Sequence, residues 1–467
     1  MTDYSALRTI GDLRESGYVV RSVREEIRAN LIRRIRAEEI VFPGIIGFEE
    51  SVIPQLENAI LAGQDVILLG ERGQAKSRLI RGLVGLLDEY IPKIAGSEIN
   101  DNPYDPISQA CRNRVAEEGD NTPIEWIPRE ERYSEKLATP DISIADLIGE
   151  IDPIKVAEGH YLSDELVIHY GLVPRTNRGI FCINELPDLA ERIQVGLFNL
   201  MEERDVQIKG YRIRLPLDVY VVSTANPEDY TNRGRIVTPL KDRYGSQIHT
   251  HYPRDPRDEI AIMEQERNRF PDEDRLVVPE YMKRILAEIT AQARQSSEIN
   301  QRSGVSVRVS IANYETALSN AVRRSIIQGE EWACPRVSDL SYIVASFAGK
   351  IELETFEDGR ESRVTDDLTR RALLRVFGSY FNLEDLEDVI MAFDMGGSAI
   401  VGSDHPASEY PALVDAIEGM GEAVTRLTEG DRRPEVVAAA AEFVLEGLHL
   451  SRRLNCDRSG DGYRYSR

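Results

Sequence analysis

The sequence predicts an α/β fold: a mainly parallel sheet covered on both faces, followed by helical regions. Three observations carry this expectation. Short apolar runs at 65–69, 179–183 and 218–224 read as buried strands, because a strand covered on both faces needs no polar alternation. Helical stretches separate them, the pattern that arises when parallel strands are joined by crossovers. A turn holding Gly70 and Gly73 leads from the first run into an amphipathic helix.

Composition sets the outer limits. The 467 residues suggest about three domains. Apolar residues make up 42 %, which excludes a disordered or collagen-like chain. Lys and Arg number 57 against 80 Asp and Glu, a net charge of −23 that repels polyphosphate and argues against wrapping nucleic acid. The four cysteines, Cys111, Cys182, Cys334 and Cys456, form no CxxC pair, so no zinc cluster or disulfide framework is expected. No signal sequence and no unbroken apolar run of about 18 residues is seen, and the reading is a cytoplasmic protein without a membrane span.

In chain order, residues 1–43 read as a helical segment, since Val23, Ile27, Leu31 and Ile35 recur every four positions among arginines and glutamates. Residues 44–252 hold the strands. Within them, 97–140 reads as a polar, loop-rich insertion broken by Pro103, Pro106, Pro123 and Pro128. Helical periodicity fills 253–350 and resumes through a C-terminal helical region, 351–467, with a polar tail after Cys456. His249 and His251 share a strand face without a third metal ligand at a plausible spacing, so they read as packing.

The richest segment is GERGQAKS at 70–77. Phosphate binding needs several backbone N–H groups converging at a helix N-terminus, and Gly70 and Gly73 let the chain turn with no Cβ in the way. Lys76 then faces the β and γ phosphates of ATP, and the Ser77 hydroxyl is a Mg²⁺ ligand. Ala75 stands where GxxxxGK[ST] has its second glycine, and its methyl is tolerable if that residue is already helical. GIFCINELPDL at 179–189 ends its strand in Asn184 and Glu185, where Glu185 can orient an attacking water. The usual ATPase strand ends Asp-Glu, so Asn184 keeps the shape of a Mg²⁺-holding residue but lacks its charge, and slow turnover is expected. Asn226, at the end of the third strand, is placed to hold water or the γ-phosphate.

These blocks, in this order, resemble the AAA+ ATPases of the magnesium-chelatase I-subunit and MoxR-like group over roughly residues 40–350. FPGIIGFEE at 42–50, STANPEDYTNRG at 223–234 and LKDR at 240–243 complete the set. The resemblance implies a P-loop AAA+ core (44–252), a helical lid (253–350) and ATP with Mg²⁺ as cofactors. Its nucleotide contacts would come from Ile46, Gly47, Gly70, Arg72, Gly73, Gln74, Ala75, Lys76 and Ser77, with the metal on Ser77 and Asn184. It further implies that Arg243 is a finger reaching the neighbouring subunit's ATP, that Arg308 is the second sensor arginine, and that the assembly is a homo-oligomeric, hexameric ring.

A hairpin around 205–215 resembles one that points into the ring pore, with Lys209, Arg212 and Arg214 as contacts; a plain solvated hairpin is the equal alternative. A partner with a von Willebrand factor A domain is also implied. The expected function is ATP-driven remodelling of a partner protein. The competing readings are magnesium insertion into a porphyrin, enhancer-dependent transcription activation, for which the GAFTGA loop is missing, and an ATP-binding scaffold with little hydrolysis.

Overall fold

A computed structural model describes residues 6–152, 167–207, 214–226, 235–271, 273–301, 303–354, 359–459 and 462–467. The chain divides into two compact units, Met1–His251 and Tyr252–Arg467.

The first unit is built on five strands: β1 (Val66–Leu69), β2 (Tyr133–Leu137), β3 (Gly179–Asn184), β4 (Val219–Ala225) and β5 (Ser246–His249). Their order is β5-β1-β4-β3-β2, and every pairing is parallel. Every residue of β1, β3 and β4 is buried, as their unbroken apolar runs predict. Alternate residues serve opposite faces. Val219 and Val221 pack with Ile193, Leu197 and Leu200, whereas Tyr220 and Val222 pack with Val23, Ile27 and Leu31 of α1 (Val23–Arg36). Helices α2 (Val52–Leu61) and α3 (Lys76–Gly82) share that second face.

Helix α1 starts at a capping box in which the Ser22 hydroxyl accepts from the Glu25 N–H and the Glu25 carboxylate accepts from the Ser22 N–H. The helix is tied to the sheet by Arg24, whose Nη2 lies 2.6 Å from Oδ1 of buried Asp65. Ile35, expected on the apolar stripe, is instead 43 % exposed, one turn beyond the edge of the sheet contact.

The loop-rich reading of 97–140 is corrected. The segment contains the helix Gln109–Glu118, the strand Ile124–Pro128 paired antiparallel with Tyr90–Ile94, and the core strand β2. Its polarity is turned inward around Asp101, which is fully buried and accepts from the Ile107 and Ser108 N–H groups and the Ser97 and Ser108 hydroxyls at 2.7–2.8 Å. Strand β2 escapes an apolar-run reading because it is the sheet's edge, where one side of the ladder is free and polar residues are tolerated.

In the second unit α4 (Pro256–Glu266), α5 (Glu280–Ala293), α6 (Val307–Gln328), α7 (Arg360–Tyr380) and α8 (Pro434–Leu450) enclose one apolar core running from Met263 to Tyr465. The tail after Cys456 is also corrected. Strands β6 (Ala399–Val401), β7 (Asn455–Ser459) and β8 (Gly462–Ser466) form an antiparallel sheet, and Tyr465 is buried with its hydroxyl on Glu446. The alternation of Tyr463, Arg464 and Tyr465 is the period-two signal of that strand. Among the described residues, no helix is long and apolar enough to cross a membrane.

Candidate nucleotide site

In a parallel sheet of this order the chain leaves β1 for the far edge and returns to pair β4 against it, so the C-terminal ends of β1 and β4 bound a crevice. The 70–75 loop lies there. Gly70 donates its N–H to the Ala225 carbonyl at 3.1 Å. A Cβ at Gly70 would sit 2.0 Å from Thr250 Oγ1 and 2.2 Å from Gln74 Oε1, so no side chain fits. Gln74 closes the turn from within, its Oε1 accepting from the Glu71 N–H at 3.0 Å and the Thr250 hydroxyl at 2.7 Å. Gly73 has φ +75°, the left-handed region that glycine permits.

Ala75 departs from expectation. It is the N-cap of α3 at φ +52°, ψ +14°, so it is left-handed and the helix begins only at Lys76. A methyl there costs roughly 1–2 kcal/mol, which is why the motif carries glycine. Ala75→Gly is therefore expected to raise stability by about 0.5–1 kcal/mol, the gain net of glycine's greater freedom when unfolded, read as a higher denaturant midpoint.

Lys76 is the centre of the site. Its ammonium donates to the Gly70 carbonyl, to the Glu71 carbonyl at 2.7 Å and to Asn226 Oδ1 at 2.7 Å. The loop, the helix start and the end of β4 thus meet at one positive charge, and the structure brings Lys76 and Asn226 into direct contact. Ser77 follows in the first turn of α3.

At the end of β3, Asn184 is buried and Glu185 is half-buried. Glu185 has φ +55°, a conformation that re-aims its side chain off the strand line at a cost of about 1 kcal/mol. Its N–H donates to Thr224 Oγ1 at 3.0 Å, and the Thr224 hydroxyl donates to Asn184 Oδ1 at 3.3 Å. Thr224 thereby locks β3 to β4. It carries no separate signal in the sequence beyond its place in STAN.

A second unpredicted residue is Glu135 on β2, which accepts from the Asn184 amide nitrogen, from Arg81 Nε and Nη2 at 2.9 and 3.0 Å, and from the Tyr133 hydroxyl at 2.8 Å. The hydrogen-bonded Arg81 guanidinium, opposed by partial burial, holds the Glu135 carboxyl below the usual carboxylate range.

The remaining expected residues are placed as follows. Ile46 is half-buried and Gly47 adopts φ +80°. Their segment is pinned beside the end of β5, where Phe48 meets His251 edge-on at 5.0 Å and Ser51 Oγ lies 2.7 Å from His251 Nε2. His249 is exposed. Arg72 is exposed on the loop. Arg243 lies against its own chain, bonded to Glu202 and to the Pro239 carbonyl and stacked 4.8 Å over Phe198. Arg308 belongs to the second unit, exposed in the first turn of α6 behind the Ser306 cap. The strands Asp205–Gln207 and Arg214–Pro216 pair antiparallel, while Lys209 and Arg212 lie outside the described residues.

The donor chemistry suits the expected cofactors. Mg²⁺ takes hard oxygen ligands and keeps several waters, which the Ser77 hydroxyl and the Asn184 amide oxygen match. The converging loop, with one lysine and a helix start, matches a triphosphate.

A parallel sheet of this strand order, with a phosphate-binding loop after β1 and polar ends on β3 and β4, defines a P-loop nucleotide-binding module of the AAA+ type. The curated relatives narrow this. The magnesium-chelatase subunit ChlI of Nostoc sp. (strain PCC 7120) is 30 % identical over 243 residues, 49 % of this chain and 59 % of that protein. The chloroplastic ChlI of Chlamydomonas reinhardtii is 28 % identical over 236 residues, 48 % of this chain and 52 % of that protein. A solved complex of the magnesium-chelatase subunits BchI and BchD aligns with TM-score 0.37 and 19 % identity, over 70 % of this chain and 98 % of that one. No family model matches the chain. The chain spans between half and three-fifths of the length of the ChlI proteins named. The fold and these relatives support the AAA+ group, and the chain resembles its magnesium-chelatase I subunits over about half of its length.

Proposed function

We propose that this chain is a ring-forming AAA+ ATPase that couples ATP binding and hydrolysis to remodelling of a partner protein. The observation that carries the reading is the convergence of Lys76, the loop carbonyls and Asn226 at the ends of β1 and β4. When bound, ATP would supply the scissile phosphoanhydride and Mg²⁺ the positive charge that offsets its phosphates. The chain's own residues position it: the loop amides and Lys76 hold the phosphates, Ser77 and Asn184 hold the hydrated metal, and Glu185 orients the water.

Arg243 acts in trans, exchanging its bond to Glu202 for the γ-phosphate of the neighbouring subunit in a hexameric ring. Residues 253–350 serve as the lid, with Arg308 reading the nucleotide state. A protein with a von Willebrand factor A domain is the expected partner, and the setting is read as cytoplasmic. ATPase assays of the wild type and Glu185→Gln test this. The variant should lose about 10²–10⁴-fold in turnover while still binding ATP, the range for a positioned base. Equal rates would remove Glu185 from the mechanism.

One observation favours a second reading, an ATP-binding scaffold with little hydrolysis: the neutral Asn184 stands where the metal-holding strand usually ends in aspartate. Undetectable wild-type turnover alongside firm ATP binding would select it.

A further inference from the structure

The charge missing from position 184 is present one side chain away. Thr224, Asn184 and Glu135 form a hydrogen-bonded row across β4, β3 and β2. Glu135 pairs in register with Cys182, two residues before Asn184, so all three point to the face that α3 covers. On α3, Ser77 and Arg81 are four residues apart and share one side of the helix. Arg81 grips Glu135 with two nitrogens, so the helix that carries Ser77 also meets the carboxylate.

We infer that Glu135 is the carboxylate of this Mg²⁺ site, taking over the charge that Asn184 lacks and fixing the orientation of the Asn184 amide. The inference rests on the nucleotide-site reading above. An amide can present either its oxygen or its nitrogen to a neighbour. A carboxylate beside the nitrogen settles the choice, because the reversed amide would set oxygen against oxygen. Oδ1 is then left on the Thr224 side, where it accepts from the Thr224 hydroxyl at 3.3 Å and the Cys182 thiol at 3.6 Å and faces away from the carboxylate. Mg²⁺ gives up its waters reluctantly, so an anion acting through that shell and one amide is sufficient to hold it.

Arg81 does not cancel the charge. Its side chain is 63 % exposed, so solvent screens the guanidinium, while the carboxylate it pairs with is only 20 % exposed. Asn184→Asp alone would place two carboxylates in contact and gain little.

The test is ATP uptake by the full chain, followed by calorimetry in EDTA and then across a Mg²⁺ titration. Glu135→Gln is expected to leave uptake in EDTA unchanged and to raise the Mg²⁺ concentration for half-maximal effect about tenfold or more. Arg81→Ala breaks the same contact between β2 and α3 but keeps the carboxylate, and should leave that concentration unchanged or lower. Glu135→Gln combined with Asn184→Asp returns one carboxylate to the site and should recover the wild-type value to within about threefold.

An unshifted Mg²⁺ dependence in Glu135→Gln, an equal shift in Arg81→Ala, or no recovery in the double variant would each overturn the inference while leaving nucleotide binding standing. Absence of ATP uptake by the wild type under every condition would instead overturn the nucleotide-site reading, and the role of Glu135 with it.

Discussion

Lys76→Ala is expected to weaken ATP binding by about a hundredfold, measured by calorimetry with and without Mg²⁺. The side chain brings the positive charge that the loop, the helix start and Asn226 all address. A hydrogen bond to a charged partner contributes about 1.5–3 kcal/mol, and about 1.4 kcal/mol is a tenfold change in affinity. A lysine facing two phosphates makes more than one such contact, which sets the size of the loss. The fold should tolerate the change, since Lys76 is only half-buried and the carbonyls it releases border the crevice rather than the core. A melting temperature within about 2–4 °C of wild type would separate lost binding from lost structure. Binding unchanged in the variant would remove the phosphate-loop reading.

How much of this was legible beforehand depends on whether the signal is local. Strands β1, β3 and β4 announce themselves because both faces of the sheet are covered and each becomes an apolar run. The order of the phosphate loop, the Asn184-Glu185 pair and Asn226 along the chain leads to their shared crevice, since parallel strands point their C-terminal ends the same way. Strand β2 was hidden because an edge strand can be polar, and its five residues read as more of the insertion. The left-handed turn at Ala75 contradicts the local propensity of alanine and is imposed by the loop around it.

Glu135 was invisible for a different reason. Its partner Asn184 is 49 residues away, and nothing in either local sequence marks the contact. The same applies to Arg132, which reads as one charge among several in 129–132 yet is 1 % exposed and bonded to a residue 106 positions earlier. Single-chain patterns report periodicity and turns well. They do not report which polar groups meet once the sheet is assembled.

That buried pair carries the second large expectation. Glu26→Ala should destabilise the protein by about 3–5 kcal/mol, seen as a lower urea midpoint at unchanged slope. Glu26 accepts from Arg132 Nη1 and Nη2 at 2.8 and 2.7 Å and also caps the Asp88 N–H. Arg132 in turn donates through Nε to the Arg178 carbonyl at 2.9 Å. Burial first, and then the neighbouring Arg132 charge, pull the Arg178 guanidinium down to about 10, a sign of how little water reaches this spot.

Removing the one carboxylate that Arg132 grips would leave two close cations enclosed. Desolvation of an unpaired charge costs more than the pair itself contributes, so the damage lies in what remains. Glu26→Ala combined with Arg132→Met should therefore recover most of the loss, because no orphaned cation is left at position 132. Arg21→Ala, which breaks a pair that is 41 % exposed on the arginine side, should change stability by less than about 1 kcal/mol. Arg132 immediately precedes Tyr133, the first residue of β2, so a loosened Arg132 also loosens the strand that presents Glu135. Single and double variants with equal midpoints would show that the orphaned Arg132 charge is not the source of the loss.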